Sequence, residues 1–366
     1  MVMRIALIDS PVGAEIVLDG RRYINFAGSS YLGLSGRGEI LEAGVAAIRH
    51  WGAGYQISRQ HDVDTRACQE AQSAAATLFG SPAALYMAAG YYFGLVALTA
   101  LRGQFDAIFF DELAHYCLRD AIAGCGLQSY AFRHLDSDDL LAQLRRRLKA
   151  RERPLVVTDG LYSTLGEVAP LAQFALAVEP YGGRLLVDES HSFGVLGPTG
   201  RGATEQHQLP ATVALRGGSL SKAFGTSGGI ILGTGDEIAA FRRTPPIMGA
   251  SAGLPAGAAM AAASLRFVHE RPELLARLRG NISYLKGGLG ALGLNVGDSQ
   301  IPVAAFALKT EESMRVLQAR LESEGLFVLH TRYIGSGSAG VIRCGIFADH
   351  TIEHLDTLLD ALRRIL

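Results

Sequence analysis

A lysine set among hydroxyls and glycines, in Gly217-Gly-Ser219-Leu-Ser221-Lys222-Ala-Phe-Gly225, follows a short apolar run and is the most informative stretch of the chain. Surrounded by small groups, such an amine is poorly solvated, loses its proton more readily and can form an imine with an aldehyde cofactor. Ser219 and Ser221 can bond a nearby phosphate. A solvated lysine in a surface loop fits the same residues. A second stretch, Leu185-Leu-Val187-Asp188-Glu-Ser190-His191, is an apolar run ending in an acid with a histidine three residues later. A carboxylate there can keep a pyridine nitrogen protonated, making the ring an electron sink, and the imidazole can bond a ring hydroxyl. A metal pair, a hydrolase acid and histidine, or a structural ion pair would use the same residues, but no nucleophile elbow follows this run.

Two weaker signals precede these. Ala88-Ala-Gly90-Tyr91-Tyr-Phe-Gly94 opens an apolar helix, and the amides at a helix start attract phosphate with help from the dipole. Asp111-Glu-Leu-Ala-His115 ends another apolar run, where an imidazole could stack on a flat cofactor, although a lone histidine is more often structural.

The elements that must position these residues are short apolar runs alternating with helical stretches: Ala107 to Phe110, Pro154 to Thr158, Arg184 to Val187, Thr212 to Leu215 and Gly229 to Leu232. The alternation predicts a mostly parallel sheet flanked by helices, and ligands bind such sheets at the carboxyl ends of the strands. Beyond Pro245-Pro246 the spacing predicts long helices, then strands at Val303 to Ala307, Leu326 to Leu329 and Val341 to Ile346, consistent with a second, smaller domain. In the last helix Ile352, Leu355, Leu358, Leu359, Leu362 and Leu366 share a face, a spacing that predicts core packing.

In order and spacing the four chemical stretches resemble fold-type-I pyridoxal-phosphate enzymes, and within them the α-oxoamine synthases. The resemblance runs from Asn25-Phe-Ala-Gly-Ser-Ser-Tyr-Leu-Gly-Leu34 to Arg343. It implies an α/β fold with a large domain, residues 40–244, built on a mostly parallel seven-stranded sheet. Residues 1–39 and 245–366 would form a smaller α+β domain. It implies pyridoxal 5'-phosphate as cofactor, with Lys222 as the Schiff-base lysine, Asp188 at the pyridine nitrogen, His191 at the ring hydroxyl and His115 stacked on the ring. Gly90 and Tyr91 would cover the phosphate, Ser219 would bond it with Ser221 nearby, and Ser163 in Tyr162-Ser-Thr-Leu-Gly-Glu-Val-Ala-Pro170 would lie near the cofactor. Arg343 would hold the substrate carboxylate, a bidentate task suited to guanidinium. The implied reaction condenses an amino acid with an acyl thioester, with loss of carbon dioxide, in a homodimer. An aminotransferase on the same fold, or a fold that no longer catalyses and acts as a regulatory subunit, would share many of these residues.

Tyr162-Ser-Thr-Leu-Gly166 and Asp188-Glu-Ser-His-Ser192 are most similar to autoinducer synthases that make α-amino or α-hydroxy ketones. Several positions depart from the wider family. Ser190 stands where alanine is usual, Ser29-Ser30 replaces Asn-Asp before Tyr-Leu-Gly, and Ala252 in Ser251-Ala-Gly-Leu-Pro255 replaces a hydroxyl that reaches the neighbouring subunit's cofactor phosphate. Gly52-Ala-Gly-Tyr-Gln-Ile-Ser-Arg59-Gln-His61 replaces a glycine-rich segment while keeping an arginine. The segment before Asn25 is shorter than in many members, so an acyl-carrier protein is as credible a thioester donor as free acyl-CoA.

The bulk properties agree with an enzyme of this kind. The 366 residues carry a formal net charge of −1, with 19% charged and 49% apolar residues, which offers no basic footprint for nucleic acid. The cysteines, Cys68, Cys117, Cys125 and Cys344, lack CxxC pairing, so neither a zinc site nor a disulfide framework is expected, and a cytoplasmic location fits. No apolar run is long enough to predict a membrane span.

Overall fold

The structure, a computed structural model, describes residues 5–249, 252–297 and 300–366. Ser251, which opens the Ser251–Pro255 stretch, lies outside the described residues.

The core of the site-bearing layer is a seven-stranded sheet in the order Ala83–Met87, Gly229–Gly233, Ala214–Ser219, Arg184–Asp188, Pro154–Asp159, Ala107–Asp111 and Gln128–Phe132. All neighbours pair in parallel except Gly229–Gly233, which is antiparallel to both strands beside it. The central strands are buried on both faces, as their near-continuous Leu, Val and Ile content requires. Helices cover both sides, among them Tyr92–Ala100 and Tyr116–Cys125, which pack on each other.

Of the seven strands in this sheet, sequence spacing missed two and misplaced the start of a third. Ala83–Met87 has no β-branched residue, and Gln128–Phe132 is a polar, half-exposed edge strand, so neither shows the expected run. The strand expected at Thr212 to Leu215 begins at Ala214, because a turn at Pro210 takes the Val213 and Ala214 amides. It then runs through Gly217 and Gly218 to Ser219. Glycine is required at 217: a Cβ there would lie 2.5 Å from the Ile230 carbonyl oxygen and 2.6 Å from the Phe93 ring.

The expected strand Leu326 to Leu329 is two strands serving different sheets. Leu326–Phe327 pairs in parallel with Arg21–Asn25, and Leu329–Thr331 pairs antiparallel with Val341–Gly345, which also pairs with Val303–Phe306. The long helix Pro255–Glu270 lies along helices Gly38–Trp51 and Arg66–Phe79, its alanines allowing close approach. In the last helix, Ile352–Ile365, Leu355, Leu358, Leu359 and Leu362 are buried as expected, but Ile352 and Leu366 at its two ends are exposed.

His350 joins the end of strand Arg21–Asn25 to the turn that follows the strand carrying Arg343. Its Nδ1 accepts the Phe347 N–H at 3.0 Å, its Nε2 donates to the Asn25 carbonyl at 2.9 Å, and its ring stacks between Phe26 and Phe347. With both nitrogens committed and water excluded, burial lowers its pKa to about 4 from the usual 6.5. A depressed folded-state value means stability that is present above pH 6.5 and is lost as pH falls through 4. We expect His350 to contribute roughly 3 kcal/mol to that loss. Urea midpoints measured from pH 7 to pH 4 should therefore fall less steeply in His350→Phe than in the parent, and equal slopes would remove the contribution.

Candidate active site

The carboxyl ends of the sheet strands converge, as open α/β sheets require, on a cavity of about 360 Å³. Its walls include Gly90, Tyr91, His115, Asp188, His191, Ser219, Ser221 and Lys222. Residues separated by as many as 132 positions in the chain therefore meet in one place. Ser163 lines a smaller adjoining cavity of about 30 Å³ that shares His115, Asp159 and His191 with the first. Arg343 lines neither. It is buried, donating from Nε to the Ser163 carbonyl at 2.7 Å and from Nη1 to the Gly28 carbonyl at 2.8 Å.

Lys222 sits in the turn that links Ala214–Ser219 to the antiparallel strand. Burial lowers its pKa, opposed by the charge of Asp188. Its amine is thus kept less basic than a surface lysine, although the Asp188 carboxylate nearby favours its charged form. Asp188, at the end of its strand, accepts the Ser190 N–H on Oδ1 at 2.8 Å and the Cys117 thiol on Oδ2 at 3.4 Å. Two acids stand close together here. Asp159, buried, is pushed well above the carboxylate range by burial and by the charge of Asp188, while it accepts the His115 N–H at 2.9 Å.

His115 caps the helix Tyr116–Cys125, its Nδ1 accepting the Cys117 N–H at 3.2 Å. Burial lowers its pKa. The ring is flanked by Tyr91, Tyr116 and Tyr333 at centroid distances of 6.4, 6.1 and 6.4 Å. His191 is held well below its usual pKa by burial and by the nearby charges of Lys222 and Arg343. Its Nδ1 lies 2.9 Å from the Tyr31 hydroxyl. Burial keeps the Tyr31 phenol protonated, and the Arg343 charge beside it favours the phenol oxygen facing the guanidinium, so the O–H turns to Nδ1 and the His191 proton resides on Nε2.

The cavity reaches the start of helix Tyr92–Ala100 at Gly90 and Tyr91. Gly90 touches the opposite wall so closely that a Cβ would lie 2.4 Å from Ser219 Cα. The Ser219 and Ser221 hydroxyls are 2.6 Å apart, and the Ser219 N–H donates to Ser190 Oγ at 2.8 Å. The serine found in place of alanine at 190 therefore braces the Ser219 backbone. The Tyr91 hydroxyl is hydrogen-bonded to Asp120 on the neighbouring helix. Amine, carboxylate, imidazoles, paired hydroxyls and a helix start in one cavity are the donor set that pyridoxal phosphate requires.

Sequence reasoning did not single out Tyr31, Cys117 or Asp159. Tyr31 lay inside the Asn25–Leu34 motif, but its partner is 160 residues away. Nor did it find His134, which is bonded to Asp111 at 2.8 Å and Glu167 at 3.3 Å; burial opposes its charge, but these partners raise its pKa to about 9. That ion pair braces the segment carrying Ser163. The motif Asp111-Glu-Leu-Ala-His115 supplied the signal for Asp111, but His134 stands alone in its stretch.

Comparison with known proteins agrees with this geometry. Residues 21–362 match the family model for aminotransferase class I and II. The chain is 31% identical over 371 residues to the 8-amino-7-oxononanoate synthase of Fervidobacterium nodosum, covering 100% of this chain and 94% of that one. It is 33% identical over 359 residues to the serine palmitoyltransferase of Caulobacter vibrioides, covering 98% and 88%. A serine palmitoyltransferase solved with pyridoxal phosphate superposes with a TM-score of 0.92 at 27% identity, covering 99% of this chain and 92% of that one. The chain belongs to the aminotransferase class I and II family of pyridoxal-phosphate enzymes on the fold-type-I scaffold, and within it to the α-oxoamine synthases.

Proposed function

We propose that this chain condenses an amino acid with an acyl thioester, releasing carbon dioxide and thiol and giving an α-amino ketone. The observation that carries the reading is the single cavity in which the Lys222 amine, the Asp188 carboxylate and the His191 imidazole meet, linked through Tyr31 to Arg343. The names of the full-length relatives support the same reaction type.

When bound, pyridoxal phosphate supplies an aldehyde and a pyridinium ring that accepts electrons from a carbon attached through the aldehyde. Lys222, with its lowered pKa, is the amine that would hold the aldehyde, and once released it would be the base placed to take a proton from the substrate α-carbon. Asp188 keeps the pyridine nitrogen protonated. His191 would donate from Nε2 to a ring oxygen, and His115 would lie against the ring. Gly90, Tyr91, Ser219 and Ser221 hold the phosphate. Ser163 borders the adjoining cavity, and Arg343 beside it pairs with the substrate carboxylate that is later lost. Because Arg343 already donates to two carbonyls, it keeps three of its five N–H groups for Tyr31 and that carboxylate.

The domain arrangement, partner and location follow the same reading. Residues 40–244 form the cofactor domain and the remainder a smaller one, with helix Pro255–Glu270 riding on the larger. The exposed row Leu41, Val45 and Ile48 on helix Gly38–Trp51 suits a second copy of the chain, and four buried free cysteines suit the cytoplasm. No helix among the described residues is long and apolar enough to cross a membrane.

The test incubates the reconstituted enzyme with single amino acids and a panel of thioesters, on both coenzyme A and acyl-carrier protein, and follows thiol and carbon dioxide together. Stoichiometric release of both with an amino ketone is expected. Conversion of the cofactor to its amine form by an amino acid alone, with no response to any thioester, would instead establish transamination. Tyr31→Phe should lower kcat/KM roughly tenfold, since it removes one hydrogen bond between groups that carry charge during the reaction. An unchanged pH profile in that variant would remove Tyr31 from the link.

A further inference from the structure

We propose that Cys117 is a positioning residue of the cofactor site: its thiol holds Oδ2 of Asp188 and its backbone N–H holds Nδ1 of His115, so that one residue orients both groups. This rests on the reading that Asp188 and His115 meet the cofactor ring.

Cys117 is the second residue of helix Tyr116–Cys125, where amides lack intrahelical acceptors. The His115 ring, folded back from the cap position, accepts the Cys117 N–H at 3.2 Å. That bond occupies the single lone pair on Nδ1, which fixes the neutral imidazole as its Nε2–H tautomer. The ring thereby gains a set orientation before any ligand arrives.

The thiol has one proton and two neighbours, Nδ1 of His115 at 3.0 Å and Oδ2 of Asp188 at 3.4 Å. Nδ1 is already occupied, and a carboxylate is the stronger acceptor. The S–H therefore donates to Asp188. Burial and the charge of Asp188 push the thiol pKa up, so sulfur keeps the proton that makes it a donor. Since the Ser190 N–H holds Oδ1 at 2.8 Å, the carboxylate is fixed at both oxygens. Such pre-organisation lowers the ordering cost when a protonated pyridine nitrogen binds. The other cysteine on this helix, Cys125, bonds its thiol to the Ile122 carbonyl and takes no part.

The test compares the full-length parent with C117S and C117A. An infrared difference between parent and C117S isolates the Cys117 S–H stretch, which is expected at lower wavenumber than the Cys344 band isolated in the same way with C344S. The band should move up when the carboxylate is replaced in D188N. Cofactor retention, read from the visible absorbance, should weaken roughly three- to tenfold in C117A and recover to within about twofold of the parent in C117S, which keeps a hydroxyl donor. A band indifferent to D188N, or a C117S protein as weak as C117A, overturns the proposal. Should the parent itself bind no pyridoxal phosphate, the proposed function fails, while the infrared comparison on the same protein still decides whether the thiol holds Asp188.

Discussion

Lys222→Ala is expected to lower condensation by on the order of 10³-fold or more while leaving the fold intact. Its amine is half-buried and its pKa is already lowered by burial, so removing it relieves a desolvation cost and leaves the surrounding turn unchanged. Asp188, His191 and the helix start at Gly90 remain in place, so pyridoxal phosphate should still bind but without a covalent link. Borohydride reduction followed by intact mass measurement checks this directly: the parent gains the mass of the reduced cofactor and the variant does not. A variant that still carries the cofactor covalently, or that turns over like the parent, would move the chemistry to another amine.

The second large effect concerns charge at the strand end. Asp188→Asn keeps the shape and the acceptor for the Ser190 N–H but removes the negative charge, and kcat should fall on the order of 10³-fold, with the amino-acid KM changing less than about threefold because Arg343 is untouched. The loss also spreads to neighbours in a predictable direction. Asp188 supports the charged forms of Lys222 and His115, so both should become less basic in the variant. Asp159, held neutral partly by the repulsion from Asp188, should ionise more readily. A pH profile of amino-acid-dependent absorbance changes reads both shifts. An effect confined to KM would place Asp188 in substrate binding.

Much of this arrangement was legible in the sequence because it is local. Asp188, His115 and Gly90 each end a strand or open a helix within a short motif, Lys222 closely follows a strand end, and strand ends in an α/β sheet share one edge, so the convergence of these residues follows from the alternation of elements. The central strands were legible for the same reason, as continuous apolar runs. The edge strand Gln128–Phe132 and the alanine-led Ala83–Met87 were not, since their strand character comes from pairing partners and not from their own side chains. Tyr31 and Cys117 were hidden differently: one partners a histidine 160 residues away and the other a carboxylate 71 residues away. Long-range side-chain pairs leave no period or spacing in a single chain. The split of Leu326 to Leu329 between two sheets is a further case, decided at Val328 by which neighbours each half meets.

The antiparallel strand Gly229–Gly233 lets the chain return directly from Ser219, so Lys222 rides on a short hairpin-like connection instead of a helical crossover. Closing that connection costs little chain entropy, and every other wall of the cofactor cavity precedes it in the sequence except its own far side at Ser227 and Gly228. Arg343, by contrast, must find a carbonyl 315 residues upstream. As the polypeptide is synthesised, the reactive pocket is complete in sequence more than a hundred residues before the arginine emerges, so the capacity to hold the cofactor is encoded ahead of the capacity to grip a substrate.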